Sequence, residues 1–223
     1  MENERKRRSL VLVNDEKSMR ETICYLLRSF YDKGWMSGTG GGICSGFDKD
    51  LILVAPTRVH KEMIKQEDLF VVNSQYNTVS RHPKDKSLRL SECAPIFCEI
   101  IRKRSAGSVL HSHALSTILA ADLAGNNDCL VISGLEMLKG ISGENNRSQH
   151  FIPIINNTEY EKDLCTAIEK TLGDERFSKS FCILIRDHGA YIWGKDILET
   201  KRHAEVYHFL FEAIIARKQR KLN

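Results

Sequence analysis

Residues 181–194, FCILIRDHGAYIWG, contain two apolar runs separated by a short polar turn. Residues 181–186 and 190–193 are rich in β-branched and aromatic side chains, and the Asp187-His188-Gly189 segment between them is typical of a turn. The pattern predicts two strands joined directly. Strands joined by so short a connection are antiparallel, which argues against a doubly wound parallel sheet.

Similar strand signals alternate with helical signals along the chain. The other predicted strands are residues 43–47, 51–55, 69–72, 108–111, 129–132 and 151–155. The predicted helices are residues 16–33, 91–103 and 114–124, a helix opened by a capping-box pattern at 158–161, and a helix from Asp196 onward. Residues 73–90 are polar and basic and predict a long loop. The sequence therefore predicts an α/β fold, a three-layer α/β/α sandwich with a mixed, mainly antiparallel central sheet.

Length and composition are typical of one globular domain. The 223 residues are 42% hydrophobic, enough for a sizeable core. The 33 basic and 29 acidic side chains leave a net charge of +4, too small an excess to indicate nucleic-acid binding. We predict a basic N-terminal tail at residues 1–14 and a single domain at 15–223.

The N-terminal segment does not have the pattern of a signal peptide. Its apolar run, residues 10–13, is shorter than the roughly 7–15 residues that such a peptide needs, and charged residues follow it. No stretch is as long as a membrane span. We therefore expect a cytoplasmic protein with no membrane partner. The seven cysteines lack metal-ligand spacing, so buried thiols are expected.

Three histidines are candidates for a metal site. His111 and His113 lie two residues apart on a predicted strand, so their imidazoles project from one face. His188 follows a separate strand. Three neutral imidazoles with an open fourth position are typical of catalytic zinc. Histidines that are ordinary buried polar residues would give the same spacing, so the pattern leaves both interpretations open.

Two turns are candidates for binding an anion. Backbone N–H groups of Gly40, Gly41 and Gly42 can approach a phosphate without a side chain in the way. The alternative is a tight strand entry that requires positive φ. Thr57 and Arg58 supply a hydroxyl and a guanidinium suited to an anionic oxygen, or form an ordinary turn.

Further short motifs lie along most of the chain. They are GW at 34–35, GTGGG at 38–42, AP at 55–56, KE at 61–62, CAP at 93–95, HSH at 111–113, EMLKG at 136–140, PIINNT at 153–158 and HGAYIWG at 188–194. Together they resemble the class II aldolase/adducin family, and most closely its methylthioribulose-1-phosphate dehydratase branch. EMLKG, PIINNT and the YIWG ending are the pieces specific to that branch.

The resemblance implies an activity and a role for particular residues. It implies an α/β/α fold, one Zn²⁺ per subunit on His111, His113 and His188, and a homotetramer with active sites near subunit interfaces. The implied reaction is dehydration of 5-methylthioribulose 1-phosphate to 2,3-diketo-5-methylthiopentyl 1-phosphate, in methionine salvage. Glu136 is the implied acid/base, and Cys93 is expected in the substrate pocket. Residues 40–42 and 57–58 are expected at the phosphate.

Three positions complicate this interpretation. Arg58 stands where the family has glycine, and Cys44 stands where it has serine. Glu92 falls where related sugar-phosphate aldolases carry a catalytic glutamate, so aldol cleavage of a ketose 1-phosphate is the alternative activity. A less favoured hypothesis is a non-catalytic binding module whose basic ends, residues 5–8 and 217–221, contact acidic partners.

Overall fold

The computed structural model describes residues 15–220, which form helices on both faces of one central sheet. The predicted tail at residues 1–14, with its basic run, and residues 221–223 lie outside the described part. The predicted domain boundary therefore stays a prediction.

The described residues contain nine strands and five α-helices. The strands are β1 (Gly42–Asp48), β2 (Leu51–Val54), β3 (Phe70–Asn73), β4 (Thr78–Arg81), β5 (Ser108–Ser112), β6 (Cys129–Ile132), β7 (His150–Ile155), β8 (Cys182–Ile185) and β9 (Gly189–Gly194). The helices are α1 (Glu16–Asp32), α2 (Ala94–Arg104), α3 (Leu115–Leu123), α4 (Leu164–Leu172) and α5 (Ile197–Arg220).

The sheet has the strand order β4-β3-β2-β1-β5-β9-β8-β7-β6. Every neighbouring pair is antiparallel except β7 and β8, which are parallel. Helices α1, α3 and α5 pack on one face, and α2 and α4 pack on the other. This confirms the predicted mixed, mainly antiparallel sheet between helical layers.

Helix α1 illustrates how the local sequence determines where a helix begins, which face it buries and where it ends. The Asp15 side chain accepts a hydrogen bond from the Ser18 backbone N–H at 3.0 Å, which caps the helix N-terminus. An apolar stripe then recurs at helical spacing and is buried against the sheet. Gly34, with φ of +73°, follows the helix end.

Two local predictions are wrong. Residues 73–90 are not all loop, because Thr78–Arg81 forms β4 at the edge of the sheet. The capping box at 158–161 does not form: the Thr158 backbone N–H bonds to Oδ1 of Asn157, and a 3₁₀ turn, Glu161–Asp163, precedes α4. The Glu161 side chain is consequently free to point elsewhere.

The structure also bears on two further predictions, that the cysteines are buried thiols and that the chain has no membrane span. All seven cysteines are free thiols, and four of them, Cys44, Cys93, Cys98 and Cys182, are buried. Among the helices of residues 15–220, none combines the length and the apolar character needed to span a membrane.

Strands β5 and β9 approach closely where β9 begins. A Cβ placed on Gly189 would lie 2.1 Å from the carbonyl oxygen of Ser112. Ser112 is paired with Ala190 in the ladder, so its carbonyl has little freedom to move away. Only glycine fits at position 189 without displacing one of the strands.

We expect Gly189→Ala to lower the free energy of unfolding by about 1–3 kcal/mol, the usual cost of overpacking. Gly46→Ala is the control, because a Cβ there would lie 3.5 Å from the nearest atom, the Gly107 carbonyl oxygen. Urea denaturation measures both variants. Similar small shifts in the two midpoints would contradict the steric argument.

Candidate metal centre

Three histidine side chains converge at one end of the β5–β9 pair. His111 lies in β5, His113 follows it, and His188 immediately precedes β9. Because the strands are antiparallel, the end of one lies beside the start of the other. Nε2 of His111 is 2.8 Å from Nε2 of His113 and 3.2 Å from Nε2 of His188. The structure thus brings all three predicted ligands together.

Hydrogen bonds at the outer ring nitrogens orient two of these histidines. Nδ1 of His111 lies 3.2 Å from the Ala190 carbonyl oxygen, and Nδ1 of His188 lies 3.0 Å from Oδ1 of Asn157. Both partners are acceptors, so each Nδ1 carries the proton and each Nε2 presents a lone pair. Tetrahedral zinc with bonds of 2.0–2.1 Å implies a nitrogen separation of about 3.3 Å. The donor set fits Zn²⁺, and the separation between His111 and His188 is close to this value, whereas that between His111 and His113 is shorter.

The three imidazoles are neutral in this environment. Burial lowers the pKa of His111 and of His113 to about 3, and it also lowers the pKa of His188. Burial acts in this direction because the charged ring loses its hydration. The neutral ring is the form that binds a metal ion, so the site is ready for one at neutral pH.

The glycine run packs directly against the histidines. A Cβ on Gly40 would lie 2.7 Å from Nδ1 of His113, and one on Gly41 would lie 2.8 Å from the His111 carbonyl oxygen. Gly41 has φ of +70°, so the run is also a strand entry that requires positive φ. The predicted phosphate role of Gly40, Gly41 and Gly42 stays a prediction.

A buried lysine ties a neighbouring turn to this run. Nζ of Lys61 donates to the carbonyl oxygens of Thr39, at 2.8 Å, and Val59, at 3.1 Å. Burial lowers the pKa of Lys61. The nearby Cys44 is wholly buried in an apolar cluster of the core, so its replacement of serine affects packing there.

A carboxylate also lies beside the histidines. Oε1 of Glu161 is 3.2 Å from Nε2 of His111, and it accepts hydrogen bonds from the Cys93 thiol, 3.2 Å away, and from the Tyr191 hydroxyl. Burial raises the pKa of Cys93 and of Tyr191, which keeps both groups protonated as donors. Because His111 is neutral, its contact with Glu161 is not an ion pair.

A cleft of about 460 Å³ leads to this carboxylate, a volume within the usual range for small-molecule sites. Glu161, Lys162, Arg58 and Glu92 are among its lining residues. Nη2 of Arg58 is 3.1 Å from Oε1 of Glu92, and both side chains are more than half exposed. Glu92 therefore pairs with Arg58 at the cleft surface, whereas its neighbour Cys93 contacts Glu161.

The turn at Thr57 and Arg58 explains one departure from the family pattern. Arg58 has φ of +57°, in the left-handed region that glycine adopts without strain. The turn is fixed by the Thr57 backbone N–H, which donates to the Arg89 carbonyl oxygen at 3.0 Å. The Arg58 guanidinium reaches the cleft at the cost of this backbone strain. A phosphate contact by Thr57 and Arg58 stays a prediction.

Glu136 lies on the surface of the chain. Its side chain is 69% exposed, and its hydrogen-bond partners within residues 15–220 are Lys139 and Asn146. The hydrogen bond from Lys139 is the main reason that the pKa of Glu136 is lowered. The described contacts do not join Glu136 to the three histidines, so its acid/base role stays a prediction.

The remainder of the EMLKG motif packs against helix α5. Leu138 is fully buried, and a Cβ on Gly140 would lie 2.5 Å from Cγ2 of Val206. Oγ of Ser142 donates to Oε1 of Glu199 at 2.7 Å, just beyond the motif. These contacts anchor the segment that presents Glu136.

Sequence patterns do not identify Glu161, Tyr191 or Asn157 as site residues. Asn157 and Tyr191 lie inside two of the motifs that carry the family resemblance, PIINNT and HGAYIWG, which is the signal that could have pointed to them. Glu161 follows the first of these motifs and fits a capping box, and that local fit obscures its long-range contact with His111.

Comparison with known proteins identifies the family. A family model described as the class II aldolase and adducin N-terminal domain matches residues 21–215. The chain belongs to the class II aldolase and adducin family. A Dictyostelium discoideum protein named "probable methylthioribulose-1-phosphate dehydratase" is 38% identical over 213 residues, covering 92% of this chain and 90% of that protein. The predicted resemblance is confirmed.

Some relatives in this family are much longer. An Arabidopsis thaliana protein named "probable bifunctional methylthioribulose-1-phosphate dehydratase/enolase-phosphatase E1" is 35% identical over 213 residues, which are 89% of this chain and 42% of that entire protein. The chain therefore spans about two fifths of that relative. Among solved structures, YgbL from Klebsiella pneumoniae aligns with a TM-score of 0.75 over 91% of this chain and 90% of that one, at 14% identity. This likeness confirms the class II aldolase-like fold.

We expect His188→Ala to remove most of the bound zinc, because it deletes one of three converging ligands. Cys24→Ser and Cys182→Ser should leave the metal stoichiometry unchanged, since neither thiol belongs to a group of converging metal-binding atoms among residues 15–220. Metal analysis of the purified proteins measures the outcome. Metal loss in the cysteine variants with retention in His188→Ala would contradict the assignment.

Proposed function

We propose that this class II aldolase-family protein is a hydro-lyase that dehydrates 5-methylthioribulose 1-phosphate to 2,3-diketo-5-methylthiopentyl 1-phosphate in methionine salvage. The observation that carries the proposal is the near full-length match to a relative named as this dehydratase, in a chain whose three neutral imidazoles converge. The reaction removes the C3 proton and the C4 hydroxyl as water, and the resulting enol tautomerises to the diketone.

The proposed cofactor is one Zn²⁺ per subunit, held by Nε2 of His111, His113 and His188. When bound, Zn²⁺ supplies Lewis acidity that makes the proton beside the substrate carbonyl easier to remove. The chain contributes the orientation: the Ala190 carbonyl and the Asn157 side chain fix the outer nitrogens of two imidazoles.

The cleft beside Glu161 is the proposed substrate site. Its Arg58 guanidinium, with the Thr57 hydroxyl and the Gly40–Gly42 amides, binds the phosphate, because charge-assisted hydrogen bonds to an anion are stronger than neutral ones. Cys93 lies deeper, beside the carboxylate of Glu161, and contacts the methylthio end of the sugar.

Glu136 is the proposed proton carrier, and we propose that it serves the site of a neighbouring subunit in a homotetramer. Two points support this arrangement. The family resemblance implies active sites near subunit interfaces, and the Glu136 carboxylate is mostly exposed on its own chain. Glu136 takes the C3 proton and returns a proton to the departing C4 hydroxyl.

Aldol cleavage is the weaker alternative. Its sequence argument is Glu92, which would have to act at the reacting carbon. The Glu92 side chain instead pairs with Arg58 at the cleft surface. The carboxylate beside the histidines is Glu161, from a different segment, so the contacts of Glu92 give aldol cleavage no support.

We expect Glu136→Gln to retain zinc and to lose about 10²–10⁴-fold in kcat, the usual contribution of a positioned acid/base group. Glu92→Gln should cost little, because this carboxylate lies outside the group around the histidines. Mass analysis of products from 5-methylthioribulose 1-phosphate distinguishes loss of water from carbon–carbon cleavage. Cleavage products, an inactive Glu92→Gln and an active Glu136→Gln would together establish an aldolase.

Subunit mixing tests where Glu136 acts. If Glu136 serves a neighbouring site, co-assembled Glu136→Gln and His188→Ala subunits should recover about a quarter of the wild-type activity, since random assembly leaves that share of interfaces intact. Each variant assembled alone is the control. Recovery absent from verified mixed tetramers would place Glu136 in its own subunit's site.

We expect Arg58→Ala to raise KM more than it lowers kcat, because a phosphate contact distant from the reacting carbons contributes mainly to binding. Steady-state kinetics with the sugar phosphate measure both constants. An unchanged KM would mean that the guanidinium forms the ion pair with Glu92 and does not contact the phosphate.

A further inference from the structure

We propose that Lys61 is a positioning residue for the substrate phosphate: its buried ammonium holds two turns together and supplies positive charge close to both. The two turns are the glycine run, residues 38–42, and residues 57–59. The inference rests on the proposed function, because the phosphate site belongs to that proposal. Lys61 lies in one of the motifs that carry the family resemblance, KE at 61–62, and the resemblance implies no role for it.

The burial of Lys61 is unusual for a lysine. Lys61 is 2% exposed, although lysines are almost never fully buried unless they are paired. Within residues 15–220 the polar partners of its Nζ are two backbone carbonyl oxygens, and no carboxylate is among them. The carboxylate of the adjacent Glu62 contacts His60 instead, with 3.8 Å between Oε1 and Nδ1. The positive charge of Lys61 is therefore buried without a carboxylate bound to it.

The two partners of Lys61 belong to different turns. Nζ donates to the Thr39 carbonyl oxygen at 2.8 Å, in the glycine run, and to the Val59 carbonyl oxygen at 3.1 Å, directly after Arg58. Because both oxygens contact one nitrogen, the two turns are neighbours in space. One ammonium thus joins the two segments that the proposed function places at the phosphate.

Each turn also contains a backbone donor that is free to bind an anion. The N–H groups of Gly41 and Val59 have no acceptor among residues 15–220, and both residues are only partly exposed. A backbone N–H that is shielded from water normally has a partner. An anion bound between the turns would supply acceptors for both groups and a negative charge for the ammonium. The anion would lie near the metal centre, because Gly40 packs against the His113 ring.

The charge of Lys61 acts on an anion more strongly than the charge of Arg58. The Arg58 side chain is 77% exposed and pairs with Glu92, so water, salt and a carboxylate all weaken its attraction for an anion. The Lys61 ammonium is shielded from water, and the lower effective dielectric constant of the interior strengthens its field. At equal distance, a phosphate is therefore attracted more strongly by Lys61.

Lys61 also holds the strained turn at Arg58 in its conformation. Arg58 has φ of +57°, which is unfavourable for a side chain of this kind. On one side of it the Thr57 backbone N–H bonds to the Arg89 carbonyl oxygen, and on the other the Val59 carbonyl oxygen bonds to Nζ of Lys61. Without the ammonium, the second of these two attachments is lost and the backbone donors of the turn are no longer held in place.

Binding of inorganic phosphate to the zinc-loaded protein is the first test, and it does not depend on activity. In isothermal titration calorimetry, Lys61→Met should bind phosphate at least about tenfold more weakly than the wild type, because it removes a charged donor and keeps the side-chain length. Lys65→Met is the matched control, because Lys65 is an exposed lysine of the same segment. Equal affinity in wild type and Lys61→Met, or a wild type that binds no phosphate, overturns the proposal.

The ¹³Cε signal of Lys61 in wild-type protein is the second test, and it does not require a variant to bind phosphate. The protein is prepared with ¹³C-labelled lysine, and the signal missing from Lys61→Arg is assigned to Lys61. Phosphate should shift this signal with the Kd found by calorimetry and should shift the Lys65 signal much less. Phosphate that binds and leaves the Lys61 signal unmoved overturns the proposal.

Steady-state kinetics distinguish a role at the phosphate from a general structural role. With 5-methylthioribulose 1-phosphate, Lys61→Met should raise KM at least about tenfold and lower kcat much less, because the lost interaction is with a group distant from the reacting carbons. Circular dichroism checks that the variant is folded. A folded Lys61→Met in which KM is unchanged, or in which kcat falls as much as kcat/KM, overturns the proposal.

The outcomes separate this inference from the proposed function. If the wild-type zinc protein does not dehydrate the sugar phosphate but its phosphate affinity and the Lys61 signal behave as expected, the function is wrong and the role of Lys61 in anion binding stands. If dehydration occurs but phosphate affinity, the Lys61 signal and KM are indifferent to Lys61, the function stands and the assignment of Lys61 is wrong.

Discussion

The contact between the Gly189 backbone and the Ser112 carbonyl holds the site together. It permits the register in which His111 is paired with Tyr191 across β5 and β9. Because side chains alternate along a strand, a slip of one residue would turn His111 away from its partners. The same register places the Tyr191 hydroxyl against Glu161. One backbone approach thus determines the imidazole cluster and the donors around its carboxylate.

Elements with strong periodicity could be predicted from the sequence, and the exceptions have physical reasons. The hairpin at β8 and β9 is buried on both faces, so its apolar runs are continuous and easily recognised. Strand β4 is an edge strand with mostly exposed side chains, so its polar sequence lacks that signal. Pairing with β3, which is not visible in the local pattern, makes it a strand.

The residues of the candidate site also divide into those that the sequence could predict and those that it could not. His111 and His113 could be predicted because a spacing of two on one strand is a local geometric signal. The carboxylate of Glu161 could not, because its contact with His111 spans 50 residues and depends on a turn where a capping box was predicted. Conversely, Glu136 was predicted from its motif, while the fold of one chain leaves its carboxylate at the surface. Motifs identify candidate site residues, and tertiary contacts show which side chains each of these residues lies beside.

The two carboxylates, Glu136 and Glu161, differ in their environments: Glu161 is enclosed by other side chains, and Glu136 is exposed. Glu161 is enclosed by an imidazole, a hydroxyl and a thiol, which hold its carboxylate in one place. Glu136 is exposed, and its hydrogen bond with Lys139 lowers its pKa, so on the single chain its carboxylate is ionised and only weakly basic. A proton carrier must hold the proton that it takes from C3 until it passes it on, which requires a pKa nearer neutrality. Burial against a second subunit raises a carboxyl pKa by desolvation, so the proposed tetramer would supply the shift that the single chain lacks.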